Sequence, residues 1–96
     1  MKKLDSKTAQ MIDDEIKSIP EKYQRNFAST HEGYAVLLEE VRELEHVVFF
    51  GEKECQREYV NNLREGDLPD IAHKNRLREE AVQIAAMACR IIQELT

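Results

Sequence analysis

The sequence predicts an all-α protein. Three observations lead there: long stretches with apolar residues at helical spacing, very little turn material, and no alternating β-branched runs. Three glycines and two prolines in 96 residues leave few places for tight turns. Apolar content of 42 % beside 34 % charged residues describes a globular chain rather than a disordered one. The length allows one domain, residues 1–96, with one core. A chain this short buries only roughly 60–65 % of the surface its unfolded form exposes, so it gains from oligomerisation. The expected architecture is a bundle of four to five helices.

Residues 5–19 make the first helix, with Ala9, Ile12, Ile16 and Ile19 on one face, Asp5 or Ser6 as N-cap and Pro20 as stop. Residues 20–30 offer a further turn of helix around Tyr23 and Phe27. Residues 1–28 thus form an N-terminal helix and connector, and residues 29–95 carry the motifs. Ser29 or Thr30 caps a central helix running to about Phe50, where Gly51 reads as its C-terminal stop. Its apolar stripe Leu37, Val41, Leu44 and Val48 is expected to face the core. Gly33 in the first turn would permit close approach of another segment. Residues 52–64 read as a shorter helix carrying Cys55, Tyr59, Val60 and Leu63. A loop follows, with Asp67 or Asp70 placed to cap a last helix from about Pro69 to Leu95. The core stripe of that helix is Leu77, Ala81, Ile84, Ala88, Ile91 and Leu95.

Charge and cysteine usage narrow the class. A net charge of −5 argues against a binder of nucleic-acid polymers, which needs a basic face to displace counterions. Cys55 and Cys89 lack metal-like spacing, and Cys89 on an apolar face reads as a small buried hydrophobe, in keeping with a reducing compartment. The Met-Lys-Lys start runs into polar residues and no apolar run would span a membrane. The expectation is a cytoplasmic protein without a membrane partner.

Two acidic islands interrupt the apolar pattern. Val36, Glu40, Glu43 and Val47 share one face of the central helix, so apolar residues bracket two carboxylates. On the last helix Glu80 and Gln83 are enclosed by Leu77, Ile84 and Met87. If these helices pack antiparallel, the four oxygen-bearing side chains meet at one level. Three carboxylates together cannot all stay ionised without a cation between them. Hard oxygen donors suit Mg²⁺, with Mn²⁺ as substitute. Glu-rich helices in small acidic proteins are otherwise usually solvated faces.

Glu39-Glu40-Val-Arg-Glu43 followed by Glu79-Glu80-Ala-Val-Gln83 resembles the E-E-x-x-E … E-x-x-D signature of the MazG-like all-α nucleoside triphosphate pyrophosphohydrolases. The surrounding His31-Glu-Gly-Tyr-Ala-Val-Leu-Leu and Leu77-Arg-Glu-Glu-Ala-Val-Gln-Ile-Ala-Ala-Met-Ala are similar to a compact phage and prophage subgroup. The resemblance implies a helix bundle of that type, dimeric or tetrameric, with a pocket walled partly by a partner subunit. It implies Mg²⁺ on Glu40, Glu43 and Glu80, with Gln83 where the family has Asp. It implies cleavage of a nucleoside triphosphate between the α- and β-phosphates, giving a monophosphate and pyrophosphate. Glu39 and Glu43 are the implied catalytic carboxylates, Glu39 orienting and deprotonating the attacking water or holding a further ion.

Lys53, Arg57, Lys74, Arg76 and Arg78 are candidate phosphate contacts, each weighed against a solvated charge or an in-helix pair such as Arg76 with Glu79 or Glu80. His31 is a candidate base contact or a helix cap. Tyr34, Phe49 and Phe50 are candidate stacking or interface groups. Two other readings stay open. One is a non-catalytic module, binding nucleotide at a degenerate metal site or serving helical dimerisation. The other is a pyrophosphohydrolase acting on a phosphoribosyl-nucleotide.

Overall fold

Local capping decides where the helices start. Asp5 stands in extended backbone and its carboxylate accepts a hydrogen bond from the Thr8 amide at 2.7 Å, which opens α1, Ser6–Lys17. Residues 3–19 and 26–96 of the chain are described by the computed structural model; Pro20 and Tyr23, invoked above as a stop and a further turn, lie outside them. Ser29 caps α2, Thr30–Asn61: its hydroxyl accepts from the Glu32 amide at 3.2 Å, and Glu32 reaches back to the Ala28 amide at 3.0 Å. α3, Pro69–Leu95, begins without a side-chain cap. Pro69 occupies the first turn, where a missing N–H leaves nothing unpaired, and Asp70 lies within that turn instead of capping it.

The described residues hold three helices, all α, rather than the four to five expected. The difference is at Gly51, which does not end a helix but lies buried inside α2. A Cβ added there would come within 3.1 Å of His73 Cδ2 and 3.2 Å of Val47 Cγ1. The bare backbone is a notch for the imidazole, whose Nε2–H donates to the Val47 carbonyl at 3.1 Å. Helix continuity survives the cost of glycine, about 1 kcal/mol, because the notch lets α3 approach. The short helix expected over 52–64 is therefore the second half of α2. Gly33 forms a second notch, with Leu95 Cδ1 3.0 Å and Ile91 Cγ1 3.3 Å from the Cβ position.

The two notches set an antiparallel register. Gly33 faces Ile91 and Gly51 faces His73, eighteen residues further along α2 and eighteen back along α3. They also set the rotation of α2, because both glycines turn toward α3 together with Val47 and Cys55. The stripe expected to face the core lies about 100° further round, one residue on. Leu37 and Leu44 are half-buried, whereas Val41 and Val48 are exposed. Cys55 is the buried thiol, Cys89 is half-buried, and both are free.

A hairpin over 62–68 joins α2 to α3. Leu63 and Arg64 take left-handed backbone, φ 57° and 62°, and the Arg64 amide donates to the Tyr59 carbonyl at 2.7 Å. At the opposite end Phe27 is buried against α3: its amide donates to Glu94 at 2.8 Å, and Arg90, paired with Glu94 at 2.7 Å, lies 4.3 Å above its ring. α1 packs on α3. No helix among the described residues is long and apolar enough to cross a membrane.

If Gly51 is a notch, a branched side chain there must force the helices apart. Gly51→Val should lower the urea midpoint by the equivalent of about 1–3 kcal/mol, although valine is the better helix former. Pairing it with His73→Ala should recover part of the loss, and equal midpoints for Gly51→Val and wild type would refute the packing role.

Candidate metal centre

The register set by the two glycines brings the acidic islands together. Glu40 and Glu43 lie on α2 one turn apart, between the notches, and Glu80 and Gln83 lie on α3 at the same level. One carboxylate oxygen from each of Glu40, Glu43 and Glu80 lies within 4.8 Å of the other two. Glu40 and Glu80 are half-buried, and Glu43 stands at the exposed rim. With its amide oriented to match the surrounding acceptors, Gln83 donates to Glu40 Oε2 at 2.7 Å and to Glu80 Oε2 at 3.3 Å. The amide thus bridges the two helices and offsets part of the carboxylate repulsion.

Electrostatics record the crowding. Burial pushes the Glu40 carboxyl up to about 7, helped by the charge of Glu43, a hydrogen bond to it, and the charges of Glu80 and Glu15. Glu80 is raised as well, by burial first and then by Glu43. Glu15 belongs to α1 and was not among the sequence candidates. Its signal was nevertheless present: Met11, Ile12 and Ile19 flank it at helical spacing, the same apolar bracketing that marks Glu40.

The donor set fits a hard divalent cation. Three carboxylates and an amide that can present its oxygen offer only oxygen ligands, and the solvent-facing rim at Glu43 leaves room for water or phosphate. No protein-family model, no curated protein and no solved structure matches the chain.

The remaining sequence candidates stand apart from this cluster. Glu39 is exposed on α2, one turn before Glu43. His31 is exposed in the first turn of α2, where Ser29 does the capping. At 1.5 Å per residue it lies about 13 Å along the helix from Glu40. Lys53 and Arg57 are exposed on the second half of α2, about 15 and 21 Å beyond Glu43 by the same rise, and Lys74 is exposed on α3. Arg76 is engaged across the helices, 2.5 Å from Glu58 and 3.8 Å from Glu54, rather than within α3. Glu54 also pairs with His46 at 2.6 Å. Arg76 is thus a strut between α2 and α3.

Because Glu40 holds its proton to about pH 7 when folded and only to the ordinary 4.5 when unfolded, the folded chain binds the extra proton between those values. That stabilisation is complete below the unfolded value and is lost as pH rises through the folded one. The thermal midpoint in chelator should therefore fall between about pH 5 and about pH 8, and Glu40→Gln should flatten the fall. A midpoint that climbs over this range, after the same variant is subtracted, would contradict the crowded cluster.

Proposed function

We propose that the chain is a Mg²⁺-dependent nucleoside triphosphate pyrophosphohydrolase. The observation that carries this reading is the convergence of Glu40, Glu43 and Glu80, from two helices, within 4.8 Å of one another. A divalent ion bound there, Mg²⁺ or Mn²⁺, would supply charge neutralisation along the triphosphate. Glu40, Glu43 and Glu80 would hold it, and Gln83 could add its carbonyl oxygen by turning its amide over. Glu39, exposed outside the cluster one turn before Glu43, would orient the attacking water from the solvent side and take its proton as oxygen bonds to the α-phosphorus and the bridge to the β-phosphorus breaks. Nucleoside monophosphate and pyrophosphate leave, and the proton passes to solvent.

One observation favours the non-catalytic alternative. Gln83 donates to Glu40 and Glu80 in the position where an acid would add charge, so the cluster is partly satisfied without an ion. Under that alternative a triphosphate with Mg²⁺ raises the thermal midpoint while no pyrophosphate appears.

The proposed working unit is a homodimer or a pair of dimers. The chain exposes 7492 Å², against roughly 5,700 Å² for a compact monomer of this length. The excess, roughly 1,800 Å², lies in the range an obligate homodimer removes per subunit. Part of the exposed surface forms a heptad-spaced apolar stripe on α2: Tyr34 is 64 % exposed, Val41 40 % and Val48 52 %, with Phe49 at 71 % beside them. That pattern suits a second copy of the same helix.

A panel of nucleoside triphosphates with Mg²⁺ should show pyrophosphate release, reduced about 100-fold in Glu43→Gln. Gln83→Asp should tighten Mg²⁺ binding, since it replaces a neutral donor by a charged one. Release from Glu43→Gln at the wild-type rate would dismiss the cluster as the site. Light scattering on an eluting peak should give at least twice the monomer mass, and Val48→Glu should halve it.

A further inference from the structure

A groove between α1 and α3 opens beside the acidic cluster. It encloses about 380 Å³, with Met11 and Val82 as its apolar walls and the carboxylates of Asp14 and Glu79 among its lining. Gln83 and Glu15 line it as well, and both also reach the cluster, the first by hydrogen bonds to Glu40 and Glu80, the second by its charge on Glu40. Arg78 lines this groove and also an adjoining apolar hollow of about 260 Å³. Arg78 and Val82 are four residues apart on α3 and so share a face, which places the guanidinium one turn along from the valine. One guanidinium nitrogen donates to Asn75 Oδ1 at 3.1 Å, which steadies the group.

These features suit one class of occupant. A volume in the range of small-molecule sites, two apolar walls and a mainly acidic remainder accept a flat, uncharged heterocycle, with the triphosphate kept at the end where a cation would sit. The acidic cluster meets one end of the groove, so a nucleotide with its phosphates at the cluster extends its sugar and base into it. The Arg78 fork carries only donors and therefore seeks carbonyl or ring-nitrogen acceptors. Another hollow against α3, about 350 Å³ near Ile16, is a poorer candidate: its Arg90 and Glu94 are paired with each other and engage Phe27.

Resting on the pyrophosphohydrolase reading, we propose that this groove seats the base and sugar of the nucleotide, with α1 as its outer wall, and that Arg78 selects bases presenting a carbonyl. Guanine, uracil, thymine and cytosine offer the two-pronged donor a carbonyl oxygen, whereas in adenine the ring nitrogens N1 and N7 each stand beside an amino donor that opposes it. Arg78 is then a specificity residue, and Met11 and Val82 form the stacking walls.

The test measures Mn²⁺ binding by electron paramagnetic resonance, and KM for GTP, UTP and ATP with Mg²⁺, on the native full chain. Wild type should favour GTP and UTP over ATP by about tenfold in KM, and Arg78→Gln, an exposed change, should erase that preference. Val82→Trp should fill the groove and raise KM for all three nucleotides, with Mn²⁺ binding retained in both variants. If Val82→Trp is misfolded by circular dichroism, Arg78→Gln alone decides. Wild type that hydrolyses all three with equal KM, or Arg78→Gln with the preference intact, overturns the assignment while leaving the hydrolase reading in place. Wild type that binds no Mn²⁺ and releases no pyrophosphate overturns both.

Discussion

The structure depends on the antiparallel contact of α2 with α3, held in register by two glycines. Gly33 receives Leu95 and Ile91, and Gly51 receives His73. Both are places where a methyl group would be too close, so a slip of one helix along the other would trade a fitted contact for a clash. With that register, Glu40 and Glu43 cannot avoid Glu80 and Gln83. The acidic cluster is a consequence of packing chosen elsewhere along the helices, and its repulsion is borne by contacts at either end.

Magnitudes indicate which contacts bear it. The Arg76 strut to Glu54 and Glu58 and the His46–Glu54 pair are partly solvated, and such pairs contribute between zero and about 1 kcal/mol each. The burial of Val47 and Cys55 around the Gly51 notch, and of Phe27 under Arg90 at the other end, contributes more per residue. The charged groups of the distal half of the hairpin are therefore mostly locators. Their engagement also explains why basic residues far along α2 and α3 do not gather at the acids: Arg76 is tied to glutamates of the opposite helix, and Lys53 and Arg57 lie several turns away.

α1 has a different standing. It lies on α3, contributes none of its residues to the buried core, and brings Glu15 toward Glu40 from a third direction. A helix attached by one face to one neighbour is free to serve as a wall whose removal would not dismantle the hairpin. The division of labour is simple: α2 and α3 build the cluster, and α1 closes one side of the groove beside it.

What the chain determines by itself is what depends on nearest neighbours along it. Caps at Asp5 or Ser6 and at Ser29 or Thr30, Pro69 at the start of α3, and the apolar bracketing of Glu40 and Glu80 are local patterns; the structure takes Asp5 and Ser29 for the caps and keeps the others in place. Gly51 looked like a stop because glycine ends helices in the absence of a reason to stay, and the reason is His73, twenty-two residues away. The choice between the stripe of Val36, Glu40 and Val47 and that of Leu37, Val41 and Val48 was likewise undecidable from periodicity. Both have helical spacing, and only the inward turn of the two glycines brings Val47 to α3 and leaves Val41 and Val48 in solvent, with Leu37 half-buried. Tertiary structure decided these points, along with Glu15 and the donor role of Gln83. Each depends on which side chain arrives opposite, and that is a property of register rather than of sequence spacing.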